Sequence, residues 1–216
     1  MENTESKTGY KAFLLQTVIA FLLVFAAQAN AVIIDKIAVI VNRDVITQSE
    51  IFAMERLDIR LSGLPRRESV LQERIDHHLA FQQLETQPPV SLTEEELDAA
   101  LEAYQRRHGG TEELSEFLKT IGMTTSDMEL EVRHQLSIRR FIRDRFRPFV
   151  NITIEDAEDY YEKVYKPAAE MLAKEVPPFA ESFSEIQNLL VESRVQDYIS
   201  RWIEELRGKA VISIKD

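Results

Sequence analysis

The chain has 216 residues, 44% of them hydrophobic and 29% charged, with a formal net charge of −11 and no cysteine. That allows one domain or two small ones with a real core, and it excludes disulfides, thiolate metal sites and cysteine nucleophiles. The negative charge repels phosphate backbones, so nucleic acid is not an expected partner. Six glycines and seven prolines are too few for the turn-rich chain of a sandwich or barrel, so the expected fold is mainly α.

Lys7 and Lys11 precede an apolar run from Ala12 to Ala27, interrupted only by Gln16 and Thr17, and Ala29-Asn30-Ala31 is a small-x-small cleavage site. This pattern predicts a secretory signal peptide over residues 1–31. The alternative is an uncleaved N-terminal anchor, because about 17 apolar residues can just span a bilayer. Cleavage removes two acids and two lysines, so it leaves the net charge unchanged and the mature chain without stable membrane insertion.

Ile33 to Val41 is rich in β-branched residues and predicts a strand, Asn42-Arg43-Asp44 a turn, and Val45-Ile46 a second short strand. Thr47 with Glu50 has the spacing of a capping box that opens a first helix, with Ile51, Met54, Leu57 and Leu61 as its stripe and Gly63 and Pro65 as its stop. A second helix is predicted from about Arg66 to Thr86, and a third opens at the Thr93/Glu96 box and closes at Gly109-Gly110. A fourth runs from Glu112 to Ile121 and a fifth from about Ser126 to Phe146. Thr153 and Asp156 open a sixth, which carries Tyr160 and Tyr161. Pro167 to Phe183, with Pro177-Pro178 inside it, is expected to be a linker. A final helix spans about Ser184 to Arg207 and closes at Gly208, and residues 210–214 are expected to form a strand. A lone hairpin is marginal in water, so that last strand is expected to join the N-terminal hairpin in one small sheet.

The segment Val39-Ile40-Val41-Asn42-Arg43-Asp44-Val45-Ile46-Thr47-Gln48-Ser49-Glu50-Ile51 resembles the opening of the SurA-type periplasmic chaperones, with their V-N-x-x-V-I-x-x-S-E/D pattern. Val90-Ser91 with Glu95-Glu96-Leu97-Asp98, Phe117 to Gly122, Val132 to Leu136 and Val150-Asn151-Ile152-Thr153 are similar, in order, to that family's later helices. Members usually carry one or two parvulin-type prolyl-isomerase domains before the C-terminal helix. Here only the 167–183 linker stands in that gap, too short for a core of its own. The resemblance thus implies a signal peptide at 1–31, a helical chaperone core at 32–166, a linker at 167–183, and a C-terminal helix and strand at 184–216 that pack back on the core.

What it implies about function is an ATP-independent periplasmic holdase for unfolded outer-membrane or exported polypeptides, without cofactor or covalent chemistry. Two other classes stay open: an isomerase relative with residual or no activity, and an adaptor that docks one dedicated partner or dimerises through its long helices. A holdase needs exposed, adaptable apolar surface, and the candidates are Phe52, Met54, Phe81, Tyr104, Phe117, Met123 and Met128. Glu73 and His77 share a helix turn and could bridge a metal, yet no third ligand marks a site. His78 is expected on the apolar side of that helix and His77 in solvent. No nucleophile elbow, P-loop or dinucleotide fingerprint is present. The arginines at 139, 140, 143, 145 and 147 form the one positive run, expected as a solvated helix face paired with acids.

Overall fold

The computed structural model describes residues 35–172 and 176–215. The signal segment 1–31 and Ile33-Ile34 lie outside the described residues. The fold is mainly α with a small three-stranded antiparallel sheet, as the composition predicts.

Strand β1 (Ile37–Val41) turns at Asn42-Arg43 into β2 (Asp44–Thr47), and β3 (Ile212–Ile214) pairs on the other side of β1, giving the order β2-β1-β3. Val39, Ile40 and Val41 face Ile214, Ser213 and Ile212, so the two ends of the described chain close in one sheet. Asn42 explains why the turn sits where it does. Its φ of 56° is one that asparagine tolerates better than most side chains. Its carboxamide accepts the Val211 N–H at 2.9 Å and donates to Gln82 at 2.7 Å, so one side chain ties hairpin, third strand and a helix together. Deleting residues 209–216 removes the Val211 bond, the β3 pairing and the Ile212 packing. It is expected to lower the melting temperature by about 5–10 °C, read by circular dichroism; an unchanged curve would contradict this.

Helix α1 (Gln48–Leu57) starts at the Thr47 cap, whose hydroxyl accepts the Glu50 N–H. The reciprocal half of the predicted box is absent, because the Glu50 carboxylate bonds to Arg74 and His78 instead. The helix also ends earlier than predicted. Asp58 is left-handed, with φ 46°, so Leu61 belongs to a loop that packs on the core. Helix α2 (Val70–Glu85) begins at the Ser69 cap, and α3 (Glu94–Arg107) has the full Thr93/Glu96 box. Helices α4 (Thr111–Thr120) and α5 (Thr125–Phe146) follow, α5 opened by a Thr124/Asp127 box.

Two clusters share α5. Its first half packs with α1, α3 and α4 around Leu57, Leu97, Tyr104, Leu118 and Val132. Its second half packs with α2 and the C-terminal part of α8 (Phe179–Lys209) around Ile138, Phe141, Ile199, Trp202 and Ile203. A third cluster, with Val39, Val41, Ile46, Ile75 and Leu79, seats the sheet on α2. Helix α8 has 31 residues, about 46 Å at the standard rise, and runs straight through Gly208, where the sequence predicts an end.

The predicted linker is largely helical. Helix α6 (Ile154–Tyr160), opened by the Thr153/Asp156 box, continues through a π turn (Tyr161–Tyr165) into α7 (Lys166–Met171). The Lys166 N–H bonds to the Tyr161 carbonyl five residues back, and this wider turn accommodates Pro167 in the first turn of α7. Helix α7 ends at Met171 and α8 begins at Phe179, so the residues between them are too few for a folded module.

Candidate functional site

Two places concentrate chemistry. The first is a buried ionic network where β2, α1, α2 and α5 meet. Arg74 on α2 donates to Glu50 at 2.7 and 3.1 Å and to Glu131 at 2.8 Å. Gln135, one turn along α5, donates to Glu131 at 2.7 Å and to the Ile59 carbonyl at 3.0 Å, while its own oxygen accepts the Leu61 N–H at 2.7 Å. His78 sits between Asp44 and Glu50, 3.2 Å from each. Asp76 is fully buried and paired with Arg67 and Arg207, tying α2 to α8.

Burial alone would raise the Glu131 pKa. The charges of Arg74 and His77 and the hydrogen bonds from Gln135 and Arg74 outweigh it and hold the carboxyl down at about 2. Burial, reinforced by the Arg74 charge, pushes His77 down to about 3 despite Glu131 at 3.7 Å. His77 is therefore neutral at pH 7, and its Nε2 is buried without a hydrogen-bond partner among the described residues. A carboxylate held ionised and an imidazole held neutral are poorly matched to proton transfer near pH 7. Cross-linking of elements is what this arrangement does. A cavity of about 320 Å³ lies beside it, lined by Met54, Ile59, Leu64, Val70, His77 and Gln135 among others.

The sequence assigned the two histidines the wrong way round. His77 is in the interior and His78 is partly exposed between two acids. Glu73 does not face His77 with a shared ligand site but pairs with Arg60. Among the described residues no group of three or more His, Asp or Glu side chains could hold a metal ion.

The candidate cradle does not come together as one surface. Tyr104 and Met128 are 2% and 1% exposed and belong to the core around α5. Met54, Phe117 and Met123 pack half-buried against the same core, with the Phe117 ring stacked on His108. Phe81 packs on the neighbouring cluster and against His134. Phe52 alone of the seven is exposed, with Arg56 near its ring.

The second place is one that sequence periodicity passed over. Helix α6, the π turn and α7 form an arm, with α6 and the π turn packed against α8. Ile152, Ala157, Ser182 and Ile186 are buried there. Tyr161 bridges to the connection, its hydroxyl donating to the Pro177 carbonyl at 2.8 Å. Its ring stacks on Tyr165 and meets Phe179 edge-on, and Phe179 meets Phe183 in turn. Beyond this aromatic clamp the arm bares large apolar side chains: Val164 is 46% exposed, Leu172 66% and Met171 88%. Ala168 and Met171 are three apart on α7, with Val164 in the π turn before it and Leu172 just past its end. Pro167 reads in the sequence as a helix breaker and so hides the helix that carries these side chains.

The basic run is mixed in its engagements. Arg140 pairs with Glu96, Arg143 with Asp144, and Arg145 lies over the rings of Phe141 and Phe146. No helix among the described residues is long and apolar enough to cross a membrane. In comparisons with known proteins, no family model matches the chain, and no curated protein is significantly similar to it.

Proposed function

We propose that this protein is an exported, ATP-independent holdase that binds unfolded outer-membrane or other exported polypeptides through the apolar face of its arm. The observation that carries the reading is the arm itself: Val164 in the π turn, Met171 at the end of α7 and Leu172 just past it are all exposed beside an aromatic clamp. Apolar side chains left in solvent contribute little to the fold's own stability, and a contiguous exposed group of them is what a binding surface requires. Methionine suits it further, because its flexible thioether adapts to many partners. The likeness of residues 39–51 to the SurA-type opening and the signal-like residues 1–31 support the same reading. Binding of this kind is many-sited and weak, with no covalent step.

The test is suppression of aggregation. At stoichiometric ratio the protein is expected to reduce light scattering by an outer-membrane β-barrel protein diluted from urea. The exposed triple variant Val164→Ser, Met171→Ser, Leu172→Ser is expected to keep its melting temperature within about 2 °C, as surface changes usually do, and to need several-fold more protein for equal protection. Scattering unchanged by the wild-type protein would overturn the proposal.

A further inference from the structure

The arm is distinguished by charge as well as by exposure. Residues 154–192, the arm with the connection and the first half of α8, contain ten acids against three lysines, a net of −7 out of −11 for the whole chain. Among the described residues, Lys163 pairs with Asp159, Lys166 with Glu162, and Arg194 from further along α8 with Asp156. Glu155, Glu158, Glu170 and Glu181 are exposed, and Glu170 adjoins Met171 directly. The exposed apolar side chains of the arm therefore sit in a strongly acidic stretch of the chain.

Resting on the holdase reading, we infer that the occupant of this face is a cationic amphipathic segment of unfolded polypeptide, an apolar stretch flanked by lysine or arginine. Charge complementarity selects this partner over the others that an apolar face could take. Acidic segments are repelled, and a second copy docked arm to arm brings like charges together. The apolar stretch covers Val164, Met171 and Leu172 while its flanking cations meet the free carboxylates. The field accelerates encounter and weakens with salt, since the Debye length falls from about 30 Å at 0.01 M to about 3 Å at 1 M. The arm thus ranks clients by charge as well as by hydrophobicity, and segments that are apolar but acid-flanked escape it.

The experiment uses the full protein and three fluorescent peptides with one shared Leu/Phe core, flanked by lysine, serine or glutamate, titrated by anisotropy at 0.01 M and 1 M salt. The lysine-flanked peptide is expected to bind about tenfold more tightly than the serine-flanked one at low salt, the glutamate-flanked one more weakly than either, and the ranking to collapse at high salt. The variant E155Q/E158Q/E170Q/E181Q is expected to bind all three like the serine peptide. Equal binding of the three peptides at low salt overturns the charge preference and leaves the holdase reading standing. No binding of any peptide overturns both. Sedimentation run in parallel reads the remaining occupant: arm-dependent self-association that excludes the lysine peptide would assign the face to a second copy and overturn the inference.

Discussion

Replacing Arg74 with alanine is expected to destabilise the protein by about 3–5 kcal/mol, the range for breaking a buried ion pair by removing one partner. Arg74 is 8% exposed and neutralises two carboxylates that come from different helices, Glu50 on α1 and Glu131 on α5. Without it Glu131 keeps only the Gln135 amide as a donor, in a site from which water is nearly excluded. The double variant Arg74→Met, Glu131→Leu removes both charges and is expected to recover much of the loss, because a well-packed apolar pair can replace a buried ionic one. Urea unfolding at pH 7 measures both. If the double variant is as unstable as Arg74→Ala, the loss comes from packing rather than from the stranded charge.

The same substitution has a pH signature with a definite sign. With Arg74 present the Glu131 pKa is lowered, so its contribution to stability holds above the ordinary carboxylate range and fades as pH falls. With Arg74 gone, burial dominates and the folded-state pKa rises above the unfolded one. The variant then gains relative stability as pH falls, and the two stability curves converge toward pH 4.

Why these residues were not legible in the sequence follows from where α2 lies. A helix with one wet face shows its core as a stripe, and α1, α3 and α5 could be read that way. Helix α2 is covered by the sheet, by α5 and by α8, so it buries Arg74, Asp76 and His77 beside Ile75, Leu79 and Ala80. On such a helix the apolar residues do not mark one inside face, so the sequence pattern does not distinguish the buried His77 from the partly exposed His78. Local signals fared better. The Thr93/Glu96 and Thr153/Asp156 boxes close within four residues and need no tertiary contact to form.

The sheet closure was legible for a different reason. Two short strands cannot stand alone, and only one other candidate existed, so counting sufficed. Helix ends were lost wherever the fold overrode propensity: at Asp58, which takes a left-handed conformation, at Pro167, absorbed by the π turn, and at Gly208, carried through as α8 reaches the sheet. The seven apolar candidates do not share one exposed surface, because periodicity reports a face, not what covers it. Tyr104 and Met128 have the same spacing whether they meet solvent or the core shared by α1, α3, α4 and α5.

His77 leads to the second large effect, a loss of stability that begins well above the carboxylate range. Its pKa is near 3 in the folded protein against an ordinary value of 6.5. The charged groups that face it are Arg74 and His78 on its own helix and Glu131 and His134 on α5. His134 is itself held below its ordinary value, chiefly by burial. Above pH 6.5 both folded and unfolded chains carry a neutral His77 and it contributes nothing. Below 6.5 the unfolded chain takes up a proton that the folded chain refuses, so stability falls by about 1.4 kcal/mol per pH unit. By pH 4.5 the cumulative loss is about 2–3 kcal/mol, or a melting temperature lower by about 5–10 °C. Below the ordinary carboxylate range Glu131 adds its own loss as the unfolded state begins to protonate there first. His77→Leu removes the titrating group together with an unpaired buried nitrogen, so at pH 7 it is expected to lie within about 1 kcal/mol of the wild type. Melting curves from pH 7 to 4.5 decide the matter. The variant's curve is expected to be markedly flatter, its remaining slope coming from His134, and a slope equal to that of the wild type would show that His77 is not the group the fold keeps from its proton.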